Sequence, residues 1–133
     1  MTTFFFDENL SHRLAACIGA LEQDVRHVAH EFGRGTQDVM WIPAVASHGW
    51  VVVTGDKRIR RRSHERKALQ AAGLVSFFVD KKAFDALGSP FLQASWLLAR
   101  WDDIVRAAEA ASVGDQFGVR GKAKPWVYSL PRL

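Results

Sequence analysis

Two short runs of the chain are apolar at consecutive positions, Phe4-Phe5-Phe6 and Val51-Val52-Val53. Neighbouring residues of a strand point to opposite faces, so a strand that is apolar throughout must be covered on both sides. The middle of a parallel sheet packed between helices meets that requirement. Both runs end in acids. Phe6 leads into Asp7-Glu8-Asn9-Leu10, and Val53 into Thr54-Gly55-Asp56-Lys57. In open α/β sheets, ligands bind off the carboxyl ends of the strands. A carboxylate buried there is costly unless it is paired or bound to a cation. Taken alone, Asp7 or Asn9 reads first as the cap of the next helix, ahead of any catalytic role, so the rest of the chain has to decide.

The remaining segments fit the same architecture. Leu14, Cys17, Ile18 and Leu21 recur at helical spacing, predicting a helix over 11–21 with Cys17 on its apolar face. Asp24 to Val28 reads as a shorter, polar-interrupted strand near the sheet edge. After the glycine-punctuated stretch 31–36, Thr36 or Asp38 is expected to cap a helix running to about His48 and ended by Gly49. Pro43 fits that helix best if it lies in the first turn. A basic, largely solvent-facing helix is expected over 59–72, then a strand over 74–79 and a short helix capped by Asp80 and ended by Gly88. Ser89-Pro90 opens a longer helix to about Ala111. Its stripe is Ala94, Leu97, Leu98, Trp101, Ile104, Val105 and Ala108, and Trp126 to Tyr128 reads as an edge strand. Leu92 and Trp96 lie off that stripe, which suggests a second buried face against the C-terminal segment, a second copy or a partner protein. The alternation of strands and helices predicts a three-layer α/β/α domain with a mostly parallel central sheet.

The 133 residues are expected to form one domain, with the C-terminal helix and edge strand over 89–133. A hydrophobic content of 48% argues against a disordered chain. A net charge of +4 and a pI near 9.6 favour polyanionic partners. No apolar run suggests a membrane span or a secretory leader, and the single cysteine excludes an internal disulfide, so a cytoplasmic protein is expected.

If the two acid-ended strands are parallel neighbours, Asp7 and Asp56 emerge on one edge of the sheet. Asp38, opening the helix that feeds the second strand, lies by topology at the same edge. Converging carboxylates repel one another and raise each other's pKa, and a divalent cation resolves the conflict. Hard oxygen ligands on loops suit Mg²⁺ or Mn²⁺, whereas the five histidines show no zinc spacing. Two such ions about 4 Å apart form the arrangement that cleaves phosphodiesters. The basic run Lys57, Arg58, Arg60, Arg61, Arg62 and Arg66 starts directly after Asp56 and suits a phosphate backbone, although charge runs are commonly just solvated faces. Trp41 and Trp50 fit core positions better than base stacking.

Asp7-Glu8-Asn9-Leu10-Ser11 before a helix, Asp38 opening a helix, and Val52-Val53-Thr54-Gly55-Asp56-Lys57 together resemble a PIN-like domain over about residues 1–80. More specifically, they resemble the short PIN-like proteins related to VapC toxins of toxin–antitoxin pairs. The resemblance implies a metal-dependent endoribonuclease fold with an acidic pocket at the strand C-termini. Position by position, it makes Asp7, Asp38 and Asp56 the metal-binding acids and Thr54 the hydroxyl residue before the last of them. Glu8 stands as a possible fourth acid in place of a helical glutamate that this chain lacks, with Thr54 or Asn9 orienting a ligand or water. Hydrolysis in that family leaves a 5′-phosphate and a 3′-hydroxyl. RNA, a cognate antitoxin and a second copy of the chain are the partners it implies. The absent glutamate leaves open a non-catalytic nucleic-acid-binding module on the same fold. Acids after the first strand and after a central strand also leave open a phosphoacceptor receiver domain.

Overall fold

The computed structural model describes residues 1–55 and 66–133 in full and the backbone of 63–65. The chain runs β1 (Thr3–Phe6), α1 (His12–Gly19), β2 (Asp24–His27), α2 (Val28–Glu31), α3 (Asp38–His48) and β3 (Val51–Thr54). It continues through α4 (Ser63–Ala71), β4 (Ser76–Val79), α5 (Lys81–Ala86), α6 (Pro90–Ala110), β5 (Gln116–Val119) and β6 (Val127–Ser129). The strands form one sheet in the order β2-β1-β3-β4-β5-β6, parallel except for β6, which runs antiparallel to β5.

The two-residue period of the strands divides the core into two clusters. Phe4, Phe6, Val51, Val53, Phe77 and Val79 face Leu14 and Ile18 of α1, Phe84 of α5 and Leu97, Trp101 and Ile104 of α6. Phe5, Val52 and Phe78 face Val28 of α2, Trp41 and Val45 of α3 and Leu69 of α4. The expected α/β/α sandwich follows, with β3 and β4 in its middle, β1 inside next to β2, and β2 and β6 at its edges.

Several local expectations change. On α1 the buried positions are Leu14, Ala15 and Ile18, whereas Cys17 and Leu21 are exposed. The helix ends at Gly19, so its apolar stripe turns toward Ala15. Neither Thr36 nor Asp38 caps α3: Gln37 holds that position without a side-chain bond, and Asp38 is the first helical residue. Pro43 therefore lies in the second turn, where its missing N–H removes one helical hydrogen bond at an exposed position. On α6, Leu98 is exposed and Arg100 is buried. The Arg100 guanidinium lies 3.8 Å from the centre of the Trp96 ring and 4.0 Å from that of Trp126. Trp96 is thus used by the chain's own C-terminal segment, while Leu92 stays 46% exposed. Strand β5 has no alternating pattern because Gln116 is buried against Arg66, and the Tyr128 ring fills the space a side chain at Gly118 would need. Among the described residues no helix is long and apolar enough to cross a membrane.

Candidate active site

The chain leaves β1 toward β2 and leaves β3 toward β4, so the crevice between β1 and β3 is the point where the winding of the sheet reverses. Phe6 pairs with Val53, which sets Asp7 beside Thr54. By the two-residue period both point to the face of Phe5 and Val52, where α3 packs.

Asp7 is 3% exposed. Its Oδ2 accepts the Thr54 hydroxyl, and its Oδ1 accepts the Asn9 amide at 3.1 Å, closing a tight Asx turn. Burial drives the Asp7 carboxyl up from 3.8 to about 7, and the charge of Asp38 adds to the rise. Hydrogen bonds from Thr54 and from the backbone and side chain of Asn9 oppose it without cancelling it. Such a group ionises reluctantly in the bare protein and is stabilised as an anion by a nearby cation.

Asp38 stands exposed at the start of α3, and its Oδ1 accepts the Trp41 indole N–H at 3.1 Å. Trp41 is buried, its ring 5.0 Å from that of Phe5. This tryptophan is a core residue, as expected from the sequence, and it also ties Asp38 to the core beneath Asp7. The three-residue spacing on one helix face was the available signal.

Glu8 turns elsewhere. It is exposed and accepts the backbone amide of Gly35, joining the acidic turn to the loop that leads into α3. Among the described residues, the carboxylates brought together at the crevice are therefore Asp7 and Asp38, and Glu8 braces the loop between them. His27 braces the same turn from β2. It is buried, its Nε2 lies 2.7 Å from the Leu10 carbonyl, and its Nδ1 accepts the Ala29 amide at 3.1 Å. These two partners define a neutral imidazole carrying its proton on Nε2, and burial lowers its pKa. Sequence reasoning sorted this histidine only by its failure to match a zinc pattern.

Asp56, Lys57, Arg58, Arg60, Arg61 and Arg62 lie outside the described residues. Arg66, expected on RNA, is 8% exposed and donates to Gln116 Oε1 at 2.8 Å and to the Pro131 carbonyl at 2.8 Å. It fastens the C-terminal segment to α4. Lys81 was not anticipated: its side chain lies across Gly55, where an added Cβ would come within 2.9 Å of it. Asp80, at the end of β4, accepts the Ala83 amide at 3.2 Å, as expected of a cap.

Among the described residues no three His, Cys, Asp or Glu side chains are placed to hold a metal ion. Asp7 and Asp38 offer hard oxygen donors of the kind Mg²⁺ and Mn²⁺ take, and the third acid of the set, Asp56, directly follows Gly55. The donor chemistry fits such an ion.

Fold and site define an open α/β domain with an acidic crevice at its switch point. The chain belongs to the PIN-like domain family, whose model, described as "PIN like domain", matches residues 2–81. This places it in a nuclease superfamily. Comparison with curated proteins and with solved structures returned no match.

Proposed function

We propose that the protein is a Mg²⁺- or Mn²⁺-dependent endoribonuclease, the cytoplasmic toxin of a VapBC-like toxin–antitoxin pair. The observation that carries the reading is the buried Asp7 carboxyl, hydrogen-bonded by Thr54 at the switch point and held up to about 7 partly by Asp38. Ionisable groups perturbed by burial cluster at functional sites, and this one stands in the crevice where ligands of open α/β sheets bind.

In this reading Asp7, Asp38 and Asp56 hold the cation. When bound, such an ion activates water and neutralises charge on the leaving oxygen of a phosphodiester. Thr54 fixes the direction of the Asp7 carboxylate, Asn9 closes the turn that presents it, and Trp41 fixes Asp38. Lys57, Arg58, Arg60, Arg61 and Arg62 would hold the RNA backbone beside the acids. An antitoxin would act by covering this crevice. The test is cleavage of total RNA with Mn²⁺ and with EDTA, alongside Asp7→Asn and Asp56→Asn. Metal-dependent cleavage by the wild type and its loss in both folded variants are expected. Retained metal-dependent cleavage in both variants overturns the assignment.

A further inference from the structure

The carboxyl edge of the sheet continues past the acidic crevice. Beyond β4 and β5, the start of α5 and the turn after β5 enclose a cavity of about 440 Å³ lined by Asp80, Lys82, Ala83, Arg120, Gly121 and Lys122 among others. Apart from Asp80, its charged residues are cations. Among the described residues, Lys82, Arg120 and Lys122 form no ion pair. The Asp80 carboxylate is engaged by the Ala83 amide and lies against Gly121. The cavity is thus a net positive recess, formed almost wholly by residues beyond the stretch that matches the family model.

The recess is also built to keep its shape. Arg100 donates from Nε to the Arg120 carbonyl at 2.9 Å and from an Nη to the Gly121 carbonyl at 3.3 Å. Stacked between Trp96 and Trp126, it fixes the turn that carries Arg120 and Lys122. Gly121 has no room for a side chain, because a Cβ there would strike Ala83. Arg120 lays its guanidinium face on the Tyr128 ring at 4.2 Å, which leaves its N–H edge available to an anion.

We propose that this recess binds the phosphate backbone of a single-stranded RNA whose scissile bond lies over Asp7, with Lys82, Arg120 and Lys122 contacting the phosphates. The inference rests on the nuclease reading, which supplies the polyanion. Position supports it. From β1 to β5 there are three strand spacings, about 14 Å along the edge, a few nucleotides from the crevice. Lys81, lying across Gly55, stands between the two.

The test uses a short labelled single-stranded RNA and the full chain carrying Asp7→Asn in EDTA, so that nothing is cut. It is compared with the same chain carrying Lys82→Ala and Lys122→Ala as well. Both lysines are exposed, and an unchanged melting temperature checks the fold. Loss of two phosphate contacts is expected to weaken binding about tenfold and to flatten the slope of log K against log salt by about 1.4. In chains retaining Asp7, the lysine pair is expected to raise KM for RNA with kcat held. Unchanged affinity, slope and KM, with wild-type cleavage intact, overturn the recess and leave the nuclease reading standing. RNA binding that depends on the lysines, with no metal-dependent cleavage by the wild type, supports the recess and overturns the nuclease reading.

Discussion

Replacing Asp7 by asparagine should make the metal-free protein more stable at neutral and alkaline pH, which is unusual for a buried hydrogen-bonded residue. The carboxyl titrates at about 7 when folded and at 3.8 as an ordinary aspartate. Between those values the folded state binds the proton and the unfolded state does not. Stability therefore falls as pH rises through this window, levelling off above about 7. A displacement of about three pKa units corresponds to about 4 kcal/mol of destabilisation at pH 8. Asparagine removes the charge and keeps an acceptor for one of the two donors, Thr54 Oγ1 and Asn9 N, so the mismatch returns about 1 kcal/mol. The net gain is roughly 2–3 kcal/mol, or on the order of 10 °C in Tm for a chain of this size. Thermal melts of both proteins in EDTA from pH 4 to pH 8.5 measure it. The variant should melt higher at pH 8, and the difference should vanish or reverse near pH 4, where the folded wild-type acid is protonated and the unfolded one is close to its own pKa of 3.8. Other titrating groups, His27 included, are common to both proteins and cancel. A variant less stable than the wild type at pH 8, or a difference that does not change with pH, refutes the reasoning.

Three further outcomes follow from the same geometry. Mn²⁺ at a hundred times its Kd should stabilise the wild type by about 2.7 kcal/mol at pH 8, and melts of Asp7→Asn should show little of this gain. His27→Phe strands the Leu10 carbonyl and the Ala29 amide, and chemical denaturation should show a loss of roughly 2–4 kcal/mol. Because burial lowers the pKa of His27 from 6.5, its contribution is complete above that value and is lost as pH falls below it; the variant should lack this acid-side decline. Glu8→Gln keeps an oxygen for the Gly35 amide and should retain cleavage within several-fold, whereas Glu8→Ala should lower it further. Equal, complete loss in both would make Glu8 a ligand instead of a brace.

The sheet and its helices were legible because the pattern that forms them is local. Consecutive apolar residues at Phe4–Phe6 and Val51–Val53 demand cover on both faces, and the Ser89-Pro90 start of α6 is a capping signal that acts within one turn. The place of Asp7 was legible for a topological reason, since an acid ending an inner parallel strand must stand at the carboxyl edge of the sheet. What escaped was chemistry set by distant partners. Gln116 makes a buried strand polar because Arg66 comes from fifty positions away. The same pairing takes Arg66 off the solvated basic face where its neighbours in sequence placed it. Cys17 moved to the surface because α1 packs through Ala15, a residue too small to weigh in a hydrophobic pattern.

The supports of the site share one design. Asp7 is held by Thr54 and Asn9, Asp38 by Trp41, the Glu8 turn by Gly35, and Leu10 by His27. Thr54, Trp41 and His27 are buried, so these three hydrogen bonds link the rim to the core, while Asn9 and Gly35 hold it from the exposed side. Like charges on a flexible rim would separate to relieve their repulsion. Anchored ones cannot, and the raised pKa of Asp7, which burial sets first, carries a smaller contribution from the charge of Asp38. A cation entering between Asp7 and Asp38 would relieve that repulsion without a rearrangement of the acids, so its binding free energy would be spent little on ordering the site. The instability of the bare crevice and its readiness for a metal are, on this view, two consequences of the same rigid placement.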